Sequence, residues 1–227
     1  MMKLSFSTRY MPEMSLSDYL KTAQEQKYSA VEIYDIFNAC FNGDKASFSK
    51  EGAFSTKRKL LNTGIAISAF QMPFDISDFE NEEENLAKAI KIIEAAADIN
   101  VGIIKVHAEK SEEKAKEFLE KILPKAFEEK VVIAIETTGV FSNSSVLRDV
   151  LEYFASDSIA AAWNMYSTYF FGEEDAEATI KNLGAYVKTV SILDADKNKN
   201  PVLIGEGVLP IEEMINALRS VNYNGFV

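Results

Sequence analysis

The sequence predicts an α/β protein, a (β/α)₈ barrel in which the eighth strand is cut short and the last helix is absent. Three observations carry this expectation. Short apolar or β-branched runs alternate with helical patterns of about ten to fifteen residues, the rhythm of βα units on a parallel sheet. Eight strand starts alternate with seven helices, which favours a closed barrel over an open doubly wound sheet. No glycine-rich phosphate fingerprint follows the first strand, as an open dinucleotide-binding sheet would require.

Taken in order, strands are expected at residues 3–8, 30–35, 65–72, 102–108, 131–137, 159–167, 187–194 and 225–227. The first helix opens at Ser15, an N-capping residue type, with Asp18 three positions on. The acidic run from Asp78 to Glu84 reads as a solvated loop leading into the third helix, where Leu86, Ile90, Ile93 and Ala97 share a face. Ser111 precedes Glu112 and Glu113 at the start of the fourth helix, whose apolar stripe is Ala115, Phe118, Leu119 and Ile122. Pro210 stands in the first turn of the last helix, ahead of Glu212 and Glu213. The final run is Asn224-Gly225-Phe226-Val227, an eighth strand with no helix after it.

The 227 residues, 47% of them apolar, suffice for one sizeable core, so residues 1–227 are expected to form a single domain. A net charge of −11 argues against nucleic acid or an anionic membrane as partner, because phosphate neutralisation needs clustered Lys and Arg. The single cysteine, Cys40, excludes an intramolecular disulfide and a multi-cysteine zinc site, and suits a reducing compartment. No apolar run approaches membrane-spanning length, and the first residues turn polar too quickly for a signal peptide; a cytoplasmic location is expected.

In a parallel barrel the chemistry sits at the carboxyl ends of the strands. Glu136 ends the run Val131-Val132-Ile133-Ala134-Ile135, so its carboxylate is expected in the barrel mouth. His107, the only histidine, ends the fourth strand and is either the natural acid or base near neutral pH or a hydrogen-bonded structural residue. Lys105 alternates with it at strand period; if both point inward they form a cationic pair suited to an anionic substrate. Gln71 is placed to hydrogen-bond a ligand hydroxyl. Glu32 is placed to order a neighbouring arginine or lysine, with Arg9 one candidate partner. Trp163 and Tyr166 either stack on a ligand or belong to the core.

Four segments carry a resemblance: Ile135-Glu136-Thr137, Trp163-Asn164-Met165-Tyr166, the run Val187-Lys188-Thr189-Val190-Ser191-Ile192-Leu193-Asp194, and Ile204-Gly205-Glu206-Gly207. They resemble the xylose-isomerase-like TIM barrels, the sugar phosphate isomerase/epimerase superfamily. The resemblance implies a sugar or polyol-derived ligand and proton abstraction next to a carbonyl, with a divalent metal held by a glutamate after strand five, an aspartate after strand six, a histidine on strand seven and a glutamate on strand eight. In this chain those positions fall on Glu136, Asn164, Ser191 and a residue beyond Val227. Of the four, only Glu136 is a metal ligand of the expected type, so the metal site reads as degenerate, with no cofactor or a weakly bound Mn, Mg or Zn ion.

Asn164 and Ser191 then become ligand-binding groups, Asp194 orients a loop donor, and Glu206 either approaches a ligand hydroxyl or serves its own turn. The family pattern continues past Gly225-Phe226-Val227, so the chain is expected to be a fragment or a differently terminated paralogue. The apolar surface left between the first and seventh helices is expected to recruit a partner or a downstream segment, so the isolated chain is expected to form a homodimer or to be marginally soluble. Two functions follow: an isomerase- or epimerase-like barrel, or a non-catalytic ligand-binding or regulatory module of a larger protein.

Overall fold

The computed structural model describes residues 1–11, 13–41 and 46–227. Seven parallel strands, β1 (Ser5–Ser7), β2 (Ala30–Tyr34), β3 (Ala66–Asp75), β4 (Ile103–His107), β5 (Val132–Glu136), β6 (Ile159–Asn164) and β7 (Val187–Ser191), lie side by side in chain order. Phe226 stands in the eighth position, bridged in parallel to Lys3 on one side and Thr189 on the other. Ser5 N–H donates to the Val227 carbonyl at 2.9 Å and Val190 N–H to the Phe226 carbonyl at 3.2 Å, so three residues span the gap between β7 and β1. The α/β barrel with a shortened eighth strand is therefore what the chain forms.

The helices cover the outside: α1 (Leu16–Glu25), α2 (Ala53–Thr63), α3 (Glu82–Ile99), α4 (Glu112–Glu128), α5 (Ser144–Phe154), α6 (Met165–Phe170), α7 (Ala176–Leu183) and α8 (Ile211–Ser220). Ser15 and Asp18 form a reciprocal capping box on α1, and Ser111 caps α4, as their spacing predicts. Ala115, Phe118, Leu119 and Ile122 of α4 are buried. In α3 the buried face runs through Ala89, Ile92, Ile93 and Ala96, so of the expected stripe Ile93 is central while Leu86, Ile90 and Ala97 lie at its margin. That helix takes in Glu82, Glu83 and Glu84, which place negative charge at the positive end of its dipole.

Two expected boundaries move, each for a polar reason. The sixth strand stops at Asn164, whose side chain accepts the Ser167 N–H at 3.0 Å and starts α6, an eighth helix where seven were expected. The seventh strand stops at Ser191. Asp194 belongs instead to a two-residue strand, β8 (Asp194–Ala195), paired antiparallel with β9 (Pro201–Val202) in the connection to α8. Pro210 precedes α8 rather than sitting in its first turn.

Asp194 is 1% exposed and organises that connection. Its carboxylate accepts the backbone N–H groups of Ala195 (2.9 Å), Gly205 (2.8 Å), Gly207 (3.0 Å) and Leu209 (3.3 Å). A Cβ on Gly207 would overlap the carboxylate, which explains glycine there. Among the described residues no helix is long and apolar enough to cross a membrane.

Burial alone raises the Asp194 pKa, but the four N–H donors outweigh it and hold the carboxyl below its usual value. A depressed folded-state pKa contributes stability that is present above the unfolded value of about 3.9 and is lost as pH falls through the folded one. Asp194→Ala should thus cost roughly 2–4 kcal/mol at neutral pH, with four donors losing a charged acceptor. The cost should shrink on acidification below pH ~4. Thermal denaturation against pH, with limited proteolysis of residues 196–208, checks this; an unchanged melting temperature at neutral pH would refute the assigned role.

Candidate functional site

Register decides which side chains meet inside the barrel. In-register neighbours on parallel strands point to the same face, and side chains alternate along each strand. Gln71 pairs with Lys105, Lys105 with Ala134, Ala134 with Ala160, Glu136 with Ala162, and Asn164 with Ser191. All of these face the interior, while Ile104, Val106, Ile133, Ile135 and Trp163 lie between sheet and helices. β3 carries an extra residue, since Val31 pairs with Ile67 and Glu32 with Ala69, which brings both Ser68 and Gln71 onto the interior. The methyl side chains of Ala134, Ala160 and Ala162 leave room that a long side chain can occupy.

Lys105 occupies it. Its residue is 2% exposed, and the ammonium lies 3.0 Å from Glu32 Oε2, 3.3 Å from Glu136 Oε1 and 3.0 Å from Ser191 Oγ. Two further donors point at Glu136: Asn164 Nδ2 to Oε1 at 3.3 Å and Gln71 Nε2 to Oε2 at 3.5 Å. Burial pushes the lysine pKa down, yet the charges of Glu32 and Glu136 overcome this and hold it above its ordinary value. Burial likewise raises the Glu136 pKa, but the Lys105 charge and the Asn164 hydrogen bond bring it below the usual carboxylate range. Both groups are charged at neutral pH.

These groups line a cavity of about 340 Å³ that runs beside the short eighth strand, from Tyr28 and Phe226 to Arg9 and Ile204. A larger depression, about 570 Å³, lies on the outer side against Phe37, Lys50, Lys91 and Asp98; among the described residues it gathers no buried polar cluster of this kind. Phe226, Thr189 and Ser68 on the inner wall were not singled out by the sequence, which offers no local signal for them.

The expected site residues divide. Glu136, Lys105, Gln71, Asn164 and Ser191 come together, and Glu32 orders Lys105; Arg9 instead stacks on the Tyr34 ring at 5.1 Å. Trp163 is wholly buried on the helix side, its indole N–H donating to Thr168 at 2.9 Å, so it is core and cannot stack on a ligand. Tyr166 packs against Phe170 and Phe171 and donates to the Lys199 carbonyl. Asp194 and Glu206 lie outside the cavity, the first holding its loop and the second exposed on it. His107 is half-buried at the end of β4, and its charge contributes to lowering the Glu136 pKa, but it does not line the cavity with Lys105. The expected cationic pair is therefore not formed, because Lys105 is committed to two carboxylates. Among the described residues three buried side-chain atoms have no protein partner: His107 Nδ1, Asp75 Oδ2 and Thr138 Oγ1, at the ends of β3 and β4 and just beyond β5.

The sequence gives no significant match among curated proteins. Among solved structures, a xylose isomerase domain protein from Planctomyces limnophilus superposes with a TM-score of 0.81 at 15% identity, covering 100% of this chain and 89% of that one. The 3-keto-D-glucoside 4-epimerase from E. coli gives 0.81 at 18% identity, covering 100% and 90%. The D-psicose 3-epimerase from Clostridium cellulolyticum H10, solved with D-tagatose, gives 0.80 at 15% identity, covering 100% and 83%. At these identities the likeness speaks for the fold. The family described as xylose isomerase-like TIM barrel matches residues 20–227, and the chain belongs to that family.

Proposed function

We propose that this barrel is a sugar epimerase- or isomerase-like protein whose cavity takes a neutral sugar or polyol. One observation carries the reading: Lys105, the only buried cation of the cavity among the described residues, is matched by two carboxylates, Glu32 and Glu136. Two negative charges against one positive leave the cluster at −1, which disfavours a buried anionic ligand. The groups on the wall, Gln71, Asn164, Ser191 and the carboxylates, donate to and accept from hydroxyls. Family neighbours named as epimerases of keto-sugars support the ligand class.

The family implies a divalent metal, and the donor set here does not fit one. The groups converging on Glu136 are N–H donors, from Lys105, Asn164 and Gln71, and not oxygens. Asn164 turns its carbonyl oxygen away to the Ser167 N–H, and Ser191 already accepts from Lys105. A hard divalent ion needs a shell of oxygen ligands, preferably charged. Proton transfer would then rest on Glu136 and on His107, which ends the strand that carries Lys105 and whose Nδ1 has no protein partner.

The alternative, a non-catalytic ligand-binding or regulatory barrel, is favoured by the state of Glu136. A carboxylate with a depressed pKa and donors on both oxygens is a weak base.

Neutral ketoses and polyols should raise the melting temperature, and sugar acids and sugar phosphates should not. Glu136→Gln, with folding verified by circular dichroism, should weaken binding about tenfold by replacing a charged acceptor. Equal stabilisation of both forms would place the ligand elsewhere, and a preference for anionic sugars would refute the ligand class.

Incubating the chain with the stabilising sugar in D₂O separates the two readings. Epimerase-like chemistry exchanges the proton next to the carbonyl, and His107→Ala should slow that exchange by about a hundredfold. Binding without exchange selects the non-catalytic module.

A further inference from the structure

We propose that the Lys105 ammonium is the resident cation of this cavity, doing with its own charge what a divalent metal does elsewhere in the family: it neutralises Glu32 and Glu136 and ties facing strands together. The inference rests on the reading of this cavity as the site, and it is argued from geometry. An ammonium has three N–H donors, and Lys105 has three acceptors, from β2, β5 and β7, at 3.0, 3.3 and 3.0 Å. All three oxygens lie within 3.3 Å of the ammonium, and the lysine is 2% exposed. Ala134 meets it in register and Ala160 meets Ala134, and these two methyl side chains leave room for its aliphatic stem. The acceptors are oxygens, two of them carboxylate oxygens, which is the chemistry a hard cation selects. Ser191, at the place of the family's histidine, completes this shell as a hydroxyl acceptor.

The consequence is a reciprocal one. With the ammonium in place a divalent ion meets a like charge and donor hydrogens. Without it, Glu32, Glu136 and Ser191 are left as an uncompensated cluster of oxygens around a space the size of the missing side chain. Removing Lys105 should create a divalent cation site that the natural chain lacks.

The test titrates Mn²⁺ into the full chain by calorimetry and by the loss of its free-ion paramagnetic resonance signal, alongside melting curves with and without the metal. The natural chain should neither bind nor be stabilised at millimolar Mn²⁺. Lys105→Ala should bind at least about a hundredfold more tightly and melt higher with the metal than without it. Lys105→Met combined with Glu32→Gln and Glu136→Gln removes charge from the whole cluster and should fold without gaining metal affinity. If Lys105→Ala folds only when Mn²⁺ is present, the proposal is supported. Failure to fold even with Mn²⁺, while the neutral triple variant folds, overturns it, as does a folded Lys105→Ala with no gain in affinity. Tight stoichiometric Mn²⁺ binding by the natural chain, lost in Glu136→Gln, also overturns it and requires no Lys105 variant to fold. Sugar binding is not read in this titration, so failure of the proposed ligand class leaves its outcome distinct.

Discussion

The buried contact between Lys105 and its two carboxylates is the constraint to which the rest of the interior answers. Moving an ammonium and two carboxylates out of water costs several kcal/mol per ion, and attraction offsets that only when each donor and acceptor is met. Here the three acceptors come from β2, β5 and β7, while the lysine itself comes from β4. Small interior residues on β5 and β6, the added residue in β3 and the side chains of Gln71 and Asn164 all serve the same cluster. Breaking it from one side would leave uncompensated charge inside the barrel, whereas well-packed apolar sets of the same volume are often equally stable or more so. The cluster is thus better explained as a polar site than as a device for stability.

Asp194 shows the same economy outside the cavity. One buried carboxylate with four backbone donors fixes a loop that holds two glycines and an exposed glutamate, and Ile204 from that loop reaches the cavity wall. The sequence pattern that places this aspartate after strand seven therefore marks a loop anchor, not a ligand group. Its side chain lies too deep in its own turn to reach the barrel mouth.

Periodicity made the fold legible, because strands buried on both faces and amphipathic helices write their burial directly into the residue order. The first residues of β1 to β7 fall within three of the expected starts, and the eighth position is filled where Phe226 was placed. What periodicity could not show was where a polar residue ends an element. Asn164 caps α6 and Asp194 nucleates a hairpin, and both effects depend on backbone donors several residues away. In the site, Glu136 and Lys105 were legible from strand-end position and alternation. The identity of the partner of Glu32 was not, since it depends on cross-barrel reach from β2 to β4. Trp163 illustrates the converse limit: a strand residue of ambiguous parity is assigned to core or cavity only once its register with Ala162 and Asn164 is known.

The residues that the resemblance sets at the family's ligand positions fit one another as one coupled set. An aspartate in place of Asn164 would bring a third carboxylate beside Glu136, where the amide now donates at 3.3 Å, and a single ammonium would face three negative charges. A histidine in place of Ser191 would set a bulkier ring where Lys105 needs a compact acceptor, and a protonated ring would repel it. Making either change while Lys105 remains would leave the ammonium between Glu32, Glu136 and position 191. The lysine, the amide and the hydroxyl are each consistent with the other two, and the carboxylate of Glu136 is common to both arrangements. Within this cavity the ammonium is the cation present, and the neighbouring side chains match it.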